Sequence, residues 1–255
     1  MSRDIFIGDI HGCSEEFAEL LTRLELKPSD HVVSIGDQIH KGPDSPGVLD
    51  IWNNLTVCRK TFILGNHEQK HLQWLERERT RVETGAPNLM CWVEEYPSCL
   101  IDDRREDILK DSYIARNVNG LWAVHAGIPA NYREPPQELT YSEWRALSSA
   151  KRKKQGPVLR VRFLGEGGKM VSASDTEPYH PFWASTYDGR FGPVVFGHMP
   201  FQLDRPAVFN HAWGIDLGCV YGGHLCALIV ENGQINHLTV KAKRVYQASH
   251  YWMYQ

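Results

Sequence analysis

Short apolar runs recur along the chain, and each is followed by glycine, aspartate or histidine. The clearest six lie at residues 5–7, 32–35, 62–64, 121–124, 194–196 and 213–215. Short runs that are rich in β-branched residues and bounded by glycine are typical of buried strands. We therefore predict six strands, of which the first three alternate with helices.

Helical periodicity fills the intervals after the first three strands. In the first interval, the apolar residues at positions 17, 20, 21 and 24 share one helix face, and Ser14 is a suitable N-cap. Ser45 and Pro46 open a second helix, and a third runs from Glu68 to about Arg81. Strands that alternate with helices indicate an α/β fold, and the consecutive strands of the second half predict a mixed sheet there.

Two intervals are too long to be tight connections between strands. They span residues of about 69–118 and 130–190. Insertions of this length in an α/β core are often caps or binding loops. Neither interval has the shift in composition that would mark a separate domain. We therefore expect residues 1–255 to form one domain with two candidate cap insertions.

Polar residues of metal-binding type follow five of the predicted strands. Because ligands bind at the carboxyl ends of strands in α/β sheets, these residues should meet at one edge. They are Asp9, His11, Asp37, Asn66, His67, His125 and His198. Any one of them alone would more often be a structural residue. The two aspartates, the asparagine and three of the four histidines together predict a site for two divalent metal ions, which bind carboxylate, amide and imidazole donors.

Glycine stands immediately before four of these residues. They are Asp9, Asp37, Asn66 and His198. Because glycine lacks a Cβ atom, the backbone there can turn sharply and approach bound ions closely. The glycines therefore support a site at the strand ends.

Composition and charge exclude several classes of protein. The chain has 255 residues, of which 42% are hydrophobic and 23% charged, with a net charge of −3. These values are ordinary for a globular enzyme and exclude a disordered chain, and the lack of basic excess argues against a nucleic-acid scaffold. No apolar stretch approaches the roughly 18 residues of a membrane span. Six cysteines without a CxxC pair, and no signal-peptide pattern, favour a cytoplasmic protein with reduced thiols.

Five motifs in a fixed order carry a resemblance to a known family. They are Gly8-Asp9-Ile10-His11-Gly12, Gly36-Asp37 through Lys41-Gly42, Gly65-Asn66-His67-Glu68, His125-Ala126-Gly127 and Gly197-His198. Over residues 4 to about 230, the sequence resembles the phosphoprotein-phosphatase (PPP) branch of the calcineurin-like metallophosphoesterases. Residues 41–45, 197–200 and 215–223 are most similar to the bacterial symmetrical diadenosine-tetraphosphate hydrolases.

The resemblance implies a β-sandwich flanked by helices, in four layers (α/β/β/α), with a dinuclear metal site at its edge. It also implies that His67 is the general acid for the leaving oxygen and that Asp37 bridges the two metals. The remaining metal ligands would be Asp9 and His11 at the first ion, and Asn66, His125 and His198 at the second. Mn²⁺ is the first expectation for the metal, with Fe, Zn²⁺, Co²⁺ and Ni²⁺ as alternatives.

The chemistry of such a site agrees with these roles. Two ions about 3.5–4 Å apart clamp the attacking and leaving oxygens of an in-line displacement, and a hydroxide generated at the metals attacks phosphorus. Two dications at that distance repel each other, and the bridging carboxylate of Asp37 offsets this repulsion. The uncharged amide of Asn66 leaves the site positive towards phosphate.

The second motif departs from the family pattern. It commonly ends Asp-Arg-Gly, whereas this sequence has His40-Lys41-Gly42. The family aspartate orients the acid histidine, and His40 cannot do so as an anion. His40 would accept a hydrogen bond when neutral, or a carboxylate such as Glu68 or Asp216 would serve instead. Lys41 keeps the positive charge for phosphate binding without the bidentate geometry of arginine.

Three further residues are candidates for binding the substrate. Alternation over residues 158–163 suggests a strand with Arg162 and Arg160 on one face, and Arg162 is the better candidate. A solvated strand face is the equally weighted alternative. Tyr221, in a glycine-rich stretch, is positioned to contact the leaving group.

The leading hypothesis is a hydrolase that cleaves dinucleoside polyphosphates, with diadenosine tetraphosphate giving two ADP. The alternatives are a serine/threonine or tyrosine protein phosphatase and an RNA-cap or polynucleotide-end phosphohydrolase, for which the basic residues 151–154 are the only hint. A catalytically inactive nucleotide-binding protein is disfavoured because every metal ligand and His67 are present. A dinucleotide or a phosphoprotein is therefore the expected partner, with no membrane and no nucleic acid. The sequence does not indicate an oligomeric state.

Overall fold

Two β-sheets flanked by helices form the core of the computed structural model, which describes residues 2–84 and 101–248. The first sheet contains strands β1 (Asp4–Ile7), β2 (His31–Ser34), β3 (Arg59–Phe62), β9 (His224–Glu231) and β10 (Gln234–Lys241). The second contains β4 (Ala115–Val118), β5 (Leu121–Val124), β6 (Val194–Phe196), β7 (Ala207–Phe209) and β8 (Ala212–Gly214).

Both sheets are mixed. The first has the order β10-β9-β1-β2-β3, in which β1, β2 and β3 are parallel and β9 and β10 are antiparallel. The second has the order β4-β5-β6-β8-β7, with a parallel centre and antiparallel edge strands. The predicted α/β class is confirmed, and the mixed arrangement extends to the first sheet as well.

The helices of the described residues are α1 (Ser14–Leu24), α2 (Ser45–Asn54), α3 (Asn66–Thr84), α4 (Asp103–Lys110), α5 (Tyr141–Ala146), α6 (Ser149–Gln155) and α7 (Trp183–Thr186). None of them is both long enough and apolar enough to cross a membrane.

Helix α2 begins at Ser45 as predicted, whereas Ser14, the predicted N-cap of α1, is the first residue of that helix. Cys13 holds the N-cap position of α1 and Ser14 is already helical. At α2 the cap is Asp44, whose carboxylate accepts the Gly47 N–H at 2.9 Å. Ser45 is not available for this role because its hydroxyl accepts the backbone N–H of His40.

Two apolar clusters hold the layers together. Strand β1 contributes Ile5 and Ile7 to a cluster with helix α1, and Phe6 to a cluster with the second sheet. This alternation follows from the opposite directions of successive side chains in a strand. Phe6 shares its cluster with Val124 and Val195, so the two sheets pack on each other as the predicted sandwich.

The two candidate cap intervals contain regular structure. Residues 69–118 include most of α3, then α4 and β4, whereas residues 85–100 lie outside the described residues. Residues 130–190 include α5, α6 and α7 and several short 3₁₀ turns. The strand predicted over 158–163 is wrong, because Gly156–Leu159 form a 3₁₀ helix. The carbonyl of Pro157 accepts the N–H groups of Arg160 and Val161, which tightens the chain into a turn there.

Candidate active site

The polar residues that follow the strands converge at one edge of the sandwich. Each is buried, with 8% or less of its surface exposed. They come from the ends of β1, β2 and β3 in the first sheet and of β5 and β6 in the second. The set brought together is Asp9, His11, Asp37, Asn66, His67, His125 and His198.

The Asp37 carboxylate lies between two groups of metal-binding atoms. The first group contains His11 and His67, and the Asp37 Oδ2 atom is 3.6 Å from His11 Nε2 and 3.9 Å from His67 Nε2. The Asp37 Oδ1 atom is 3.4 Å from His125 Nε2, on the side of the second group, which also contains His198. Within each group the candidate ligand atoms are at most 4.8 Å apart. Asp37 is therefore placed where one carboxylate can serve two ions.

The remaining two candidate ligands connect the groups to their surroundings. The side-chain oxygen of Asn66 is 3.0 Å from His125 Nε2. The carboxylate of Asp9 accepts the backbone N–H of His198 at 3.1 and 3.2 Å. Because Asp9 follows the first sheet and His198 the second, this contact joins the two sheets at the site.

Three of these residues have a left-handed backbone. The φ angles of His11, Asp37 and His198 are 47°, 50° and 68°. Residues other than glycine rarely adopt positive φ, and such strain is concentrated at functional sites where the surrounding structure enforces it. The glycines before the ligands allow the close approach that the sequence predicted. A Cβ atom on Gly65 would lie 2.1 Å from Asp37 Oδ1, and one on Gly197 would lie 2.0 Å from Asp9 Oδ1.

The two carboxylates considered for orienting His67 are both used elsewhere. Glu68 is fully buried and accepts backbone N–H groups, those of Asp37, Gln38, Ile39 and Gly65. Burial raises the pKa of Glu68 to about 7, and the nearby charge of Asp37 acts in the same direction. Asp216 accepts the N–H of Gly218 at 2.9 Å.

His40 itself contacts the proposed acid. The Nδ1 atom of His40 is 3.0 Å from His67 Nδ1, and its Nε2 atom is 3.2 Å from His71 Nδ1. Sequence reasoning missed His71. Its position four residues after His67, on the same face of α3, was the signal that could have found it.

Lys41 and Tyr221 lie together beside the first group. The Lys41 ammonium is 2.8 Å from His11 Nε2 and 5.2 Å from the centre of the Tyr221 ring. Burial lowers the pKa of Lys41, but Tyr221 and Asp37 outweigh this effect and the pKa is raised. Lys41 therefore carries its positive charge inside the site.

Two arginines and one further lysine lie near the candidate ligands. Burial, followed by the charge of Arg162, holds the pKa of His198 well below its usual value. Arg160 donates a hydrogen bond to the side chain of Gln69 on α3. Burial, followed by the charge of Arg160, lowers the pKa of Lys70 to about 8. Sequence reasoning missed Lys70, which is one turn after Asn66 on α3.

Together with Lys41, these three side chains form what we call the basic rim, defined as Lys41, Lys70, Arg160 and Arg162. Electrostatic coupling between them is direct, because Arg160, Lys41 and Arg162 each lower the pKa of Lys70. The four side chains are therefore close enough for their charges to act on one another.

The donor set fits two divalent metal ions. Imidazole nitrogens and carboxylate oxygens suit Mn²⁺, Fe, Zn²⁺ and similar ions. The buried Nε2 atom of His198 has no hydrogen-bond partner among the described residues, as expected for a metal ligand. Burial and the charges of Asp216 and Asp37 raise the pKa of Asp9 well above its usual value, and bound cations would relieve this repulsion.

Comparison with known proteins agrees with the geometry of the site. A family described as calcineurin-like phosphoesterase matches residues 3–225. An asymmetrical bis(5′-nucleosyl)-tetraphosphatase PrpE from Bacillus mycoides is 27% identical over 249 residues, covering 89% of this chain and 90% of the relative. The protein of the same name from Halalkalibacterium halodurans is 28% identical over 238 residues and covers 87% of each chain.

Solved structures share the fold. A crystal structure described as a diadenosine tetraphosphatase has a TM-score of 0.68 and 26% identity, covering 93% of both chains. A cold-active protein-tyrosine phosphatase from a psychrophilic Shewanella has a TM-score of 0.57 and 17% identity, covering 94% of this chain and 80% of that one, which shows likeness of fold alone. Since the family match spans most of the sequence, the chain is a metal-dependent phosphoester hydrolase that belongs to the calcineurin-like phosphoesterases.

Proposed function

We propose that this enzyme hydrolyses dinucleoside tetraphosphates, with diadenosine tetraphosphate as the representative substrate. The observation that carries the proposal is the basic rim beside a carboxylate, Asp37, that is shared between two groups of metal ligands. The names of the relatives, which match nearly the whole chain, support the same substrate class.

Two ions, with Mn²⁺ as our first choice, would be held by the residues that the sequence identified. Asp9, His11 and Asp37 would hold one ion, and Asp37, Asn66, His125 and His198 would hold the second. His11 with Asp37, and His125 and His198 with Asp37, lie in the two groups of candidate ligand atoms. Asn66 contacts His125, and the charge of Asp37 acts on Asp9. When bound, the ions would lower the pKa of a water molecule and neutralise charge on the phosphate group.

Other side chains of the site would donate a proton and bind the substrate. His67 would protonate the leaving oxygen through Nε2, the nitrogen that faces the Asp37 carboxylate at 3.9 Å. Lys41 and Arg162 flank the two groups of ligands and would hold phosphate oxygens from opposite sides. Tyr221, in contact with Lys41, would lie next to the leaving group.

The basic rim favours a polyphosphate over a simple phosphate ester. After burial, the charge of Arg160 lowers the pKa of Lys70, and the charge of Arg162 lowers the pKa of Arg160. A chain of phosphates would place negative charge between these cations and relieve the repulsion. A phosphoserine side chain carries one phosphate and would bring less negative charge to the basic rim than a tetraphosphate does.

The names of the relatives bear on the position of cleavage. The sequence predicted cleavage into two ADP, whereas the relatives are named asymmetrical, which corresponds to ATP and AMP. We therefore propose ATP and AMP as the products, and the nucleotide composition of one digest distinguishes the two outcomes.

A substrate panel tests the proposal. The Mn²⁺-loaded enzyme is offered diadenosine tetraphosphate, a phosphopeptide, capped RNA and 4-nitrophenyl phosphate, and products are separated by chromatography. We expect the highest kcat/KM for diadenosine tetraphosphate, with ATP and AMP released in equal amounts. A higher kcat/KM for the phosphopeptide or for capped RNA would refute the substrate class, and release of ADP alone would refute the cleavage position.

A further inference from the structure

Three buried histidines form a continuous line of hydrogen bonds that begins at the site and leads away from it. His67, His40 and His71 are 7%, 0% and 0% exposed. The Nδ1 atoms of His67 and His40 are 3.0 Å apart, and His40 Nε2 is 3.2 Å from His71 Nδ1. The other nitrogen of His67, Nε2, faces Asp37 at 3.9 Å.

The backbone explains how the line forms. His67 and His71 are four residues apart on α3, so their rings project from the same helix face. His40 reaches between them from the loop after β2, where its φ angle is 72° and its N–H is held by the Ser45 hydroxyl at 2.9 Å. The adjacent rings are inclined by 65° and 54°, so that their nitrogen edges meet and their faces do not stack.

Only two hydrogen-bond orders are compatible with three neutral imidazoles in this line. A neutral imidazole has one N–H donor and one acceptor nitrogen, and each contact needs one of each. In the first order, His71 donates to His40 and His40 donates to His67, which leaves a proton on His67 Nε2. In the second order every donor is reversed, and His67 Nε2 has no proton.

The far end of the line favours the first order. The buried Nε2 atom of His71 has no hydrogen-bond partner among the described residues, so it is either a bare acceptor or an unpaired donor. The indole of Trp74, whose only polar group is an N–H donor, packs against His71 with ring centres 5.6 Å apart, and its nitrogen is likewise buried and unpaired in the described structure. With an acceptor at His71 Nε2, Trp74 contributes the one buried unpaired donor of this ring pair, whereas an N–H at His71 Nε2 would add a second.

The remaining charged neighbour does not reverse this preference. Glu106 is the acidic group that acts on His71. Its oxygens already bind Arg79 and Lys110 in ion pairs. The carboxylate is paired with these cations, and it makes no hydrogen bond with His71 Nε2.

We propose that His40 and His71 are positioning residues, which hold His67 in the tautomer whose Nε2–H faces the site. His71 fixes the tautomer of His40, and His40 fixes that of His67. The consequence for catalysis rests on the proposed function, because His67 can protonate a leaving oxygen only if Nε2 carries the proton. The tautomer itself does not depend on any substrate.

Nuclear magnetic resonance of ¹⁵N-histidine-labelled, metal-free protein measures the tautomer directly. Long-range ¹H–¹⁵N spectra at pH 7.5 should show His67 with a protonated Nε2 and an unprotonated Nδ1. In His71→Leu the donor to His40 is lost, and we expect the two His67 tautomers to mix. A wild-type spectrum with the proton on His67 Nδ1, or an unchanged His67 in His71→Leu, would overturn the proposal.

Kinetics with aryl phosphates of different leaving groups test the catalytic consequence. In His71→Leu, we expect kcat for phenyl phosphate to fall about 10-fold, as is typical when the hydrogen-bond partner of a functional side chain is lost, with KM unchanged. The kcat for 4-nitrophenyl phosphate should stay within about twofold, because that leaving group needs little protonation. His71→Asn keeps an N–H donor at the δ position and should restore most of kcat.

A buried histidine outside the line is the matched control. His31→Gln changes a residue that is 5% exposed and contacts Thr61, and it should leave the leaving-group dependence unchanged. Equal kcat losses for both substrates, or failure of His71→Asn to restore activity, would assign His71 a merely structural role.

If His71→Leu does not fold, the kinetics of His71→Asn and the wild-type spectrum still test the proposal. A wild type that hydrolyses no phosphate compound would refute the proposed function, and the spectra would still test the tautomer.

Discussion

The carboxylate of Glu68 accepts the backbone N–H of Asp37 at 2.9 Å, which links the residue shared by both metal groups to the first turn of α3. The same oxygen accepts the Gly65 N–H at 2.9 Å, and the other oxygen accepts those of Gln38 and Ile39 at 2.8 and 3.1 Å. These four bonds hold Asp37 in its left-handed conformation. The position of Asp37, the candidate ligand common to both groups, therefore depends on Glu68, whose carboxylate binds backbone N–H groups.

Replacement of Glu68 by glutamine should weaken metal binding. Glutamine has one acceptor oxygen, and its NH₂ group would oppose backbone N–H donors, so the Asp37 turn would lose its support. We expect the Mn²⁺ affinity, measured by titration calorimetry, to fall about 10- to 100-fold. Glu76→Gln on the same helix, where the carboxylate pairs with Arg145, is the control. Equal affinities in the two variants would show that Glu68 has no such role.

His67→Asn should slow hydrolysis in proportion to how much the leaving group needs a proton. With phenyl phosphate we expect kcat to fall about 100-fold or more, within the range for loss of a general acid. With 4-nitrophenyl phosphate the loss should be much smaller, because 4-nitrophenolate leaves unprotonated. Steady-state kinetics on the metal-loaded variant measures both values. A loss of equal size for the two substrates would contradict the role of His67 as the acid.

Lys70→Met should separate tetraphosphate binding from the chemical step. Because Lys70 belongs to the basic rim and is not among the metal ligands, its loss should raise KM for diadenosine tetraphosphate about 10-fold, the value of one charge-assisted hydrogen bond of about 1.4 kcal/mol. The KM for 4-nitrophenyl phosphate should change by less than about twofold. Lys60→Met, at a half-buried lysine that contacts Trp52, is the control. Parallel changes in both KM values would refute a polyphosphate role.

Asp30 should make stability depend on pH. It is buried, and burial opposes its ionisation, but hydrogen bonds from Arg3 and from the Lys27 N–H lower its pKa. A carboxyl group whose pKa is lower in the folded state stabilises the fold above its unfolded value of about 3.9, and this contribution is lost as pH falls through the folded pKa. Asp30→Asn should cost about 2 kcal/mol at pH 7 and less near pH 2.

Thermal unfolding at both pH values measures this effect, with a surface aspartate as control. Asp50 pairs with Arg105 at 2.7 Å, but its side chain is 50% exposed, so Asp50→Asn should change stability by less than about 1 kcal/mol. A stability loss in Asp30→Asn that persists unchanged at pH 2 would mean that the charge of Asp30 is not the cause.

Much of the site could be predicted because its ligands follow strands directly. A strand end fixes where the next residue lies relative to the sheet, so Asp9, Asp37 and His125 could be assigned to one edge from sequence alone. The residues that were missed, Lys70 and His71, lie within a helix, and their function depends on which helix face meets the loops. That orientation is decided by tertiary packing, which local sequence does not encode.

The strand predicted over 158–163 failed for a local reason. Alternation of apolar and charged residues indicated a strand. Instead, Pro157, whose φ is fixed, lies in the 3₁₀ helix Gly156–Leu159, and its carbonyl accepts the N–H groups of Arg160 and Val161. The two arginines still border the site because the turn delivers them there. Their candidacy did not depend on the secondary structure from which it was inferred.

The most direct test of the two-metal account is the number of Mn²⁺ ions bound per chain by wild type and by Asp37→Asn, measured by calorimetry alongside turnover of diadenosine tetraphosphate. Because Asp37 lies in both ligand groups, its neutralisation should weaken both ions and abolish turnover. We predict two ions per active wild-type chain, fewer than two in Asp37→Asn at the same Mn²⁺ concentration, and loss of at least about 1,000-fold in kcat. Full activity with one ion, or an Asp37→Asn variant that binds two ions and turns over normally, would contradict the account.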